Sequence, residues 1–275
     1  MGAPASSWST TGPRTSFRLR PTRGPRITLP GDSAEPNQED LRPLRAAFAF
    51  ELEQLRLQVE VMALRVDEAL VRSTTVILTG EVALAEKVIQ ADDEIDDMLV
   101  SLTERCYDLL GRQNPVASDL RLVVSVIRIL GDLERTGDLC LRIVKLAPDH
   151  ELIRGNLETY GILREMALEA QELFRTAIRA WSTRDLRLAK TLEERDDAMD
   201  SHNRALMEGI MAMDGPNAVP MAVKTLLAGR ALERIADHSV MIGERLTYML
   251  TGDSESLSAE IRPNRRDGNG APQGY

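Results

Sequence analysis

The sequence predicts an all-α fold of two tandem three-helix bundles, and three observations carry that prediction. Leu, Ala, Glu and Arg dominate while aromatics are only 4% of the 275 residues, a usage that favours helices over sheets. Apolar residues step by three and four along most of the chain. Finally, Leu133-Glu134-Arg135-Thr136-Gly137-Asp138 returns ninety-nine residues later as Leu232-Glu233-Arg234-Ile235-Ala236-Asp237, and a period of that length marks a duplicated domain rather than a solenoid.

Each element follows from its own residues. Phe48, Leu52, Leu55, Val59, Met62, Val66 and Leu70 give a first helix from about residue 44 to 78, which Gly80 breaks. The second helix turns Val82, Val88, Ile89, Ile95, Leu99 and Leu102 inward. It ends near Gly111, with Pro115 just beyond in the expected order for a stop. Ser118 is placed to cap a third helix that carries the first Glu/Asp pair and ends by Pro148. A fourth runs from Glu151 to about Trp181. A fifth starts after Ser182 and stops before Gly215-Pro216, and a sixth from about Asn217 to Leu250 carries the second pair. Six helices of about 30 residues would each be roughly 45 Å long, and their short connections favour antiparallel neighbours. The domain boundaries expected are a tail over 1–43, a first bundle over 44–148, a second over 149–251 and a tail over 252–275.

Both tails are rich in Pro, Gly and polar residues without periodicity and are expected to be disordered. Arg14, Arg18, Arg20, Arg23 and Arg26 are read as a solvated basic segment before a membrane or partner contact, a translation start further downstream being the alternative to a real extension. The formal charge is −9; residues 1–44 contribute +2, so the rest carries −11. An acidic body of this kind is a poor partner for a phosphate backbone, which argues against nucleic acid. Cys106 and Cys140 lie in apolar helical runs without CxxC spacing and are read as core residues of a protein in a reducing compartment. The most apolar stretch, Leu120 to Leu133, is interrupted by Arg121, Arg128 and Asp132 and cannot span a bilayer. The start lacks the order of a signal peptide, so the expected location is the cytoplasm, peripheral to a membrane at most.

The repeated motif carries the chemistry. Residues four apart share a helix face, so Glu134 with Asp138, and Glu233 with Asp237, each present two carboxylates side by side. Like charges at that spacing weaken a helix, and a chain that repeats the arrangement is expected to place something positive between them. Each half also has an acidic helix: Asp92-Asp93-Glu94-Ile95-Asp96-Asp97 in the first, Asp196-Asp197-Ala198-Met199-Asp200 in the second, here at an offset of 104.

The stretch Gln113-Asn114-Pro115-Val116-Ala117-Ser118-Asp119-Leu120-Arg121, the Leu133–Asp138 motif, and Ala231-Leu232-Glu233-Arg234-Ile235-Ala236-Asp237-His238 together resemble the PhoU family, the accessory and regulatory proteins of bacterial phosphate transport. The resemblance covers about residues 44–251. Leu55-Arg56-Leu57-Gln58-Val59-Glu60-Val61-Met62 is similar to actinobacterial members in particular, and Ala236 in place of a glycine is a departure from the first copy. The resemblance implies that the ExxxD carboxylates, joined by acids of the neighbouring helix, hold multinuclear metal clusters. Asp93 and Asp96 lie three apart, as do Asp197 and Asp200, so each pair can face its ExxxD partner across a bundle interface. The expected ligands are Glu134, Asp138, Asp93 and Asp96 in the first repeat and Glu233, Asp237, Asp197 and Asp200 in the second. Such all-oxygen sites suit Mg, Mn or Fe and offer zinc little. His238 points about 100° away from Asp237 on the helix, so ligation is its minority reading; His150 and His202 are read as ordinary surface histidines. Arg135 and Arg234 sit beside their glutamates, and Arg128 and Arg230 occupy neighbouring turns. Ion pairing with these arginines is the alternative to a metal, and the sequence leaves both open.

Catalysis is the less favoured class. Di-iron bundles combine Glu with Glu-x-x-His, but Glu134 precedes Gly137 and Glu233 precedes Ala236 at that spacing, and no GxSxG, Walker or GxGxxG motif is present. The resemblance implies a negative regulator of phosphate uptake and of the phosphate-starvation response. Its implied partners are the phosphate ABC transporter ATPase and the phosphate sensor histidine kinase. A di-iron-like bundle enzyme and a general helical scaffold are the alternatives. Long amphipathic helices with apolar surface left over also suggest a homodimer. No phosphate pocket is evident in the sequence, and an acidic body would repel a bare anion, so partner state is the expected signal.

Overall fold

The computed structural model describes the backbone of residues 38–113 and 115–253, with side chains for 45–112 and 115–253. Apart from Gly252 and Asp253, and the first turns of the first helix, both tails lie outside the described residues. Among the described residues the regular elements are all helical: α1 (Gln38–Thr79), α2 (Val82–Gln113), α3 (Ala117–Val144), α4 (His150–Arg154), α5 (Leu157–Thr183), α6 (Leu186–Met211) and α7 (Ala218–Thr251), with a 3-10 turn at Ala147–Asp149 before α4. The contacts described below belong to the compact unit that begins at Arg42.

α1, α2 and α3 form the first bundle, and α5, α6 and α7 the second. α3 packs on α2, and α7 on both α5 and α6. The bundles join through equivalent helices. α1 lies antiparallel to α5: Arg184 pairs with Glu53 at 2.9 Å, Arg175 with Asp67 at 2.9 Å, and Gln171 donates to Thr74 Oγ1 at 2.6 Å. α3 lies antiparallel to α7: Arg121 Nε donates to the Met249 carbonyl at 3.2 Å and Ser125 Oγ to the Arg245 carbonyl at 3.3 Å. A duplicated unit whose like helices pair antiparallel has an approximate two-fold relation between its halves. The core runs through both: Leu55, Met62 and Leu70 of α1, Ile129 and Leu133 of α3, and Phe174 and Trp181 of α5 are all fully buried.

Three expectations are corrected. The helix expected from Glu151 to Trp181 is two helices, because Gly155 and Asn156 interrupt it. Asn156 takes an extended conformation and its side chain accepts from the Thr159 amide at 3.0 Å, an N-cap that starts α5 afresh. Ser118 does not cap α3, which begins at Ala117 after an extended Val116 with no side-chain cap. His150 is buried rather than on the surface. Its Nδ1 lies 3.0 Å from the Ile77 carbonyl, while Tyr160 Oη donates to the Leu78 carbonyl at 2.5 Å. These are carbonyls of the last turn of α1, which have no partner within their own helix.

That arrangement explains Gly80. Its φ is +74°, and a Cβ there would stand 2.8 Å from His150 Cδ2. A second close approach brings α6 onto α7, where a Cβ on Gly229 would meet Leu206 Cδ2 at 2.2 Å. Replacing Gly80 with Ala is therefore expected to cost about 1–3 kcal/mol, since it strains the backbone and displaces the ring that caps α1. Chemical denaturation of the variant beside the parent measures the loss.

Candidate functional site

The α2–α3 interface gathers four carboxylates. Asp92 and Asp96 come from α2, and Glu134 and Asp138 from α3. Burial first, then Asp96 and Asp138 and less strongly Asp93, push the Asp92 carboxyl above its ordinary range, and Lys145 pulls it back. Burial, then Asp138, Asp96 and Asp92, push Glu134 up in the same way against the pull of Arg135. The residue turned toward the ExxxD helix is thus Asp92, which is half-buried, whereas Asp93 is exposed. Helical phase decides this. Buried Ile95 fixes the inward face of α2, and Asp92 stands three residues before it on that face, while Asp93 is turned toward water.

The α6–α7 interface is built likewise but finished differently. Burial raises the Glu233 carboxyl, Arg230 lowers it, and Asp237 and Asp200 raise it. Arg230 forms an ion pair with Glu233, and Asn203 Nδ2 donates to Glu233 Oε1 at 3.2 Å. Asp197, Asp200 and Asp237 are exposed, and the half-buried acid of α6 is Asp196. Ninety-nine residues before Arg230 stands Gly131, so the first repeat has no arginine at that position. Among the described residues, no three Asp, Glu, His or Cys side chains stand close enough together to hold an ion as they are. The donors of the first repeat nevertheless suit a hard cation. They are carboxylates only, two are held up by burial and mutual repulsion, and Arg135 and Lys145 are the cations that offset them. In the second repeat Arg230 already supplies positive charge.

The α3–α7 seam holds polar residues that sequence reasoning left in the core or read otherwise. Asp132 is 1% exposed, and Arg245 Nε lies 2.6 Å and Arg245 Nη2 3.3 Å from its two carboxylate oxygens. His238 Nδ1 is 3.3 Å from Asp132 Oδ1, so the histidine faces away from Asp237 and into this cluster. Ala236 is fully buried. At Gly137, its counterpart, an added Cβ would meet Ile95 Cδ1 at 3.4 Å and Asp92 Oδ1 at 3.8 Å, near ordinary contact. Cys106 and Cys140 are buried with thiols pushed up to about 12 by desolvation, which makes them unreactive core residues. A cationic cavity between α3 and α7, lined by Arg142, Lys145, Lys224, Arg230 and Arg234, was also not foreseen. Its residues are scattered over two helices and only their antiparallel pairing brings them together.

Two tandem three-helix bundles, each with an ExxxD helix facing an acidic helix, define a class, and comparison with known proteins gives it a name. The model of the PhoU domain matches residues 59–147 and again 163–246, one match per bundle. Phosphate-specific transport system accessory protein PhoU homolog 2 of Mycobacterium tuberculosis is 33% identical over 213 residues, covering 76% of this chain and 99% of that protein. The Pseudomonas putida PhoU homolog is 29% identical over 78% of this chain and 86% of its own length. Crystal structures of PhoU from Pseudomonas aeruginosa and of the phosphate transport system regulatory protein PhoU from Streptococcus pneumoniae superpose with TM-scores of 0.70 and 0.66. Their identities are 28% and 25%; each comparison covers 75% of this chain, and 100% and 98% of the respective structures. The chain belongs to the PhoU family.

The raised carboxyls carry a signed consequence. A folded-state value above the unfolded one means that the folded chain holds its protons more tightly. The stability these groups contribute therefore falls as pH rises from the ordinary carboxylate range through the raised values of Asp92 and Glu134. With a chelator present, Glu134→Gln should melt above the parent at neutral pH. The difference should vanish below about pH 3, where both carboxyls are protonated in the folded and the unfolded state alike. Calorimetric melting across pH measures it.

Proposed function

We propose that this chain is a cytoplasmic adaptor that represses phosphate uptake and the phosphate-starvation response when phosphate is plentiful. The single observation that carries this reading is the match of the PhoU domain to both bundles, with curated relatives named as accessory proteins of the phosphate-specific transport system. The partners in this reading are the phosphate ABC transporter ATPase and the phosphate sensor histidine kinase. No described helix is long and apolar enough to cross a membrane, in keeping with a protein that acts on membrane complexes from the aqueous side. Phe50, Leu57, Val61 and Leu64 leave a partly exposed apolar stripe on α1, which supports self-association as a homodimer. The role is binding rather than catalysis: the carboxylates form no Glu-x-x-His set, and the relatives carry the name of accessory proteins.

The acidic faces are read as cation sites, with Asp92, Asp96, Glu134 and Asp138 as the donors in the first repeat and Glu233, Asp237 and Asp200 in the second. Fe, Mn or Mg would neutralise carboxylates that otherwise repel one another. Because Arg230 already pairs with Glu233, the first repeat should bind the more tightly. In Mn titrations of the purified chain, Glu134→Ala with Asp138→Ala should remove the stronger binding, and Arg230→Ala should strengthen what is left. Equal losses from the two repeats would count against this assignment.

Loss of the protein tests the regulatory reading itself. Deletion in the source organism should leave phosphate-starvation genes expressed in phosphate-replete medium. A general helical scaffold would leave them silent, and transcript measurement separates the two.

A further inference from the structure

One cavity of this acidic chain is lined by the opposite charge. Between the C-terminal half of α3 and the N-terminal half of α7 lies a cavity of about 370 Å³ lined by Arg142, Lys145, Lys224, Arg230 and Arg234. Two of these side chains have acid partners: Lys224 lies 2.8 Å from Asp149, and Arg230 pairs with Glu233. Arg142, Lys145 and Arg234 form no salt bridge among the described residues. Arg142 and Arg234 thus bring positive charge to one place without an ion pair among the described residues, and Lys145 adds its own while also acting on Asp92, in a chain whose net charge is −9.

The helix dipole does not account for the whole group. Arg142 and Lys145 close α3 and favourably meet its negative end, but that effect fades within one turn. Lys224, Arg230 and Arg234 belong to the first half of α7, where the dipole offers a cation nothing. The cations instead share a cavity whose size falls within the range of small-molecule sites. Leu139, Leu146 and Leu227 also line it, and Leu227 is 52% exposed although it belongs to a helix that packs against α3, α4, α5 and α6.

We propose that this cavity binds a ligand carrying linked phosphates, a nucleoside di- or triphosphate or an inorganic polyphosphate. Guanidinium forks match phosphate oxygens in pairs, and three of the five cations are arginines. Lys224 and Arg234 are ten residues apart on α7, roughly 15 Å along its axis, and Arg142 and Lys145 face them from α3. That spread is longer than one orthophosphate and suits an extended polyanion. The leucines add a surface on which a nucleoside can lie, a contact that an inorganic chain does not use.

Calorimetric titration of the full chain with ATP, ADP, tripolyphosphate and orthophosphate, in about 0.1 M salt with a chelator, tests this. The linked phosphates should bind and orthophosphate should bind far more weakly. Arg142→Ala with Arg234→Ala should weaken binding by roughly ten-fold or more, while melting no lower than the parent because repulsion is relieved. Arg234→Lys, which keeps the charge but loses the fork, should fall between the two. Arg187→Ala, a 95% exposed residue at the start of α6, should change nothing. ATP binding tighter than tripolyphosphate, by a margin that Leu227→Ser removes, identifies a nucleotide. Equal binding of the two identifies the phosphate chain alone. If no linked phosphate binds, or if the folded Arg142→Ala/Arg234→Ala chain binds them as the parent does, the proposal is wrong.

Discussion

The antiparallel seam between α3 and α7 is the constraint on which the rest of the molecule depends. The repeated Leu-Glu-Arg-x-x-Asp motif lies on α3 in the first repeat and α7 in the second, and those two helices are packed against each other. Their register is fixed by polar contacts: Asp132 with Arg245 and His238, Ser125 with the Arg245 carbonyl, Arg121 with the Met249 carbonyl. A buried ion pair adds little net stability, but leaving one partner alone in the seam costs about 3–5 kcal/mol. Slipping α3 along α7 would separate these partners and is disfavoured for that reason. With the seam locked, Glu134 is directed to α2 and Glu233 to α6, and the cations of α3 and α7 meet at the opposite end from the Arg245 cluster.

Duplication gave two copies of one acidic face, and their neighbours have since made them different. In the first, Gly131 stands where the second has Arg230, and burial and repulsion raise the Asp92 and Glu134 carboxyls. In the second, Arg230 and Asn203 satisfy Glu233 directly. Among the described residues, the same ExxxD spelling thus describes one face without an ion-paired cation and one where Arg230 pairs with the glutamate, although burial still leaves the Glu233 carboxyl raised. The distinction lies in residues outside the motif, one turn away on the same helix or across the interface.

That is also the boundary of what the sequence made legible. Helix positions were readable because Leu55, Val59, Met62 and Val66 of α1 and Val88, Ile95 and Leu102 of α2 repeat at helical spacing and do turn inward, whereas Val82 and Ile89, expected inward as well, are exposed because they lie off that face. The tandem organisation was readable from the echo of Leu133–Asp138. Breaks that depend on side-chain capping were harder, since Asn156 and Asp185 function as caps only once the chain around them has turned. The choice between Asp92 and Asp93 turned on a rotation of about 100° per residue, and with Val82 and Ile89 apolar but exposed, the apolar pattern of α2 does not by itself fix that phase. His150, His238 and the cationic cavity were beyond reach for a common reason. Each depends on a partner distant in sequence: Ile77 for the first, Asp132 for the second, α3 against α7 for the third.

Charge in this protein is divided according to depth. Where it is fully buried, at Asp132 and Arg245, opposite charges meet at ion-pair distance and the cluster serves to hold the seam. Nearer the surface, like charges are gathered: half-buried acids between α2 and α3, and mostly exposed cations between α3 and α7. Gathering like charges lowers stability, whereas pairing them across the surface would not, and the cost falls as soon as an ion of the opposite sign is bound. Lys145 stands at the junction, lining the cationic cavity while its field lowers the Asp92 carboxyl. An ion bound on either side therefore changes the potential felt on the other, and any resulting change in affinity must be mutual. The seam that holds the fold together is thus also the element that brings the two charged faces within reach of each other.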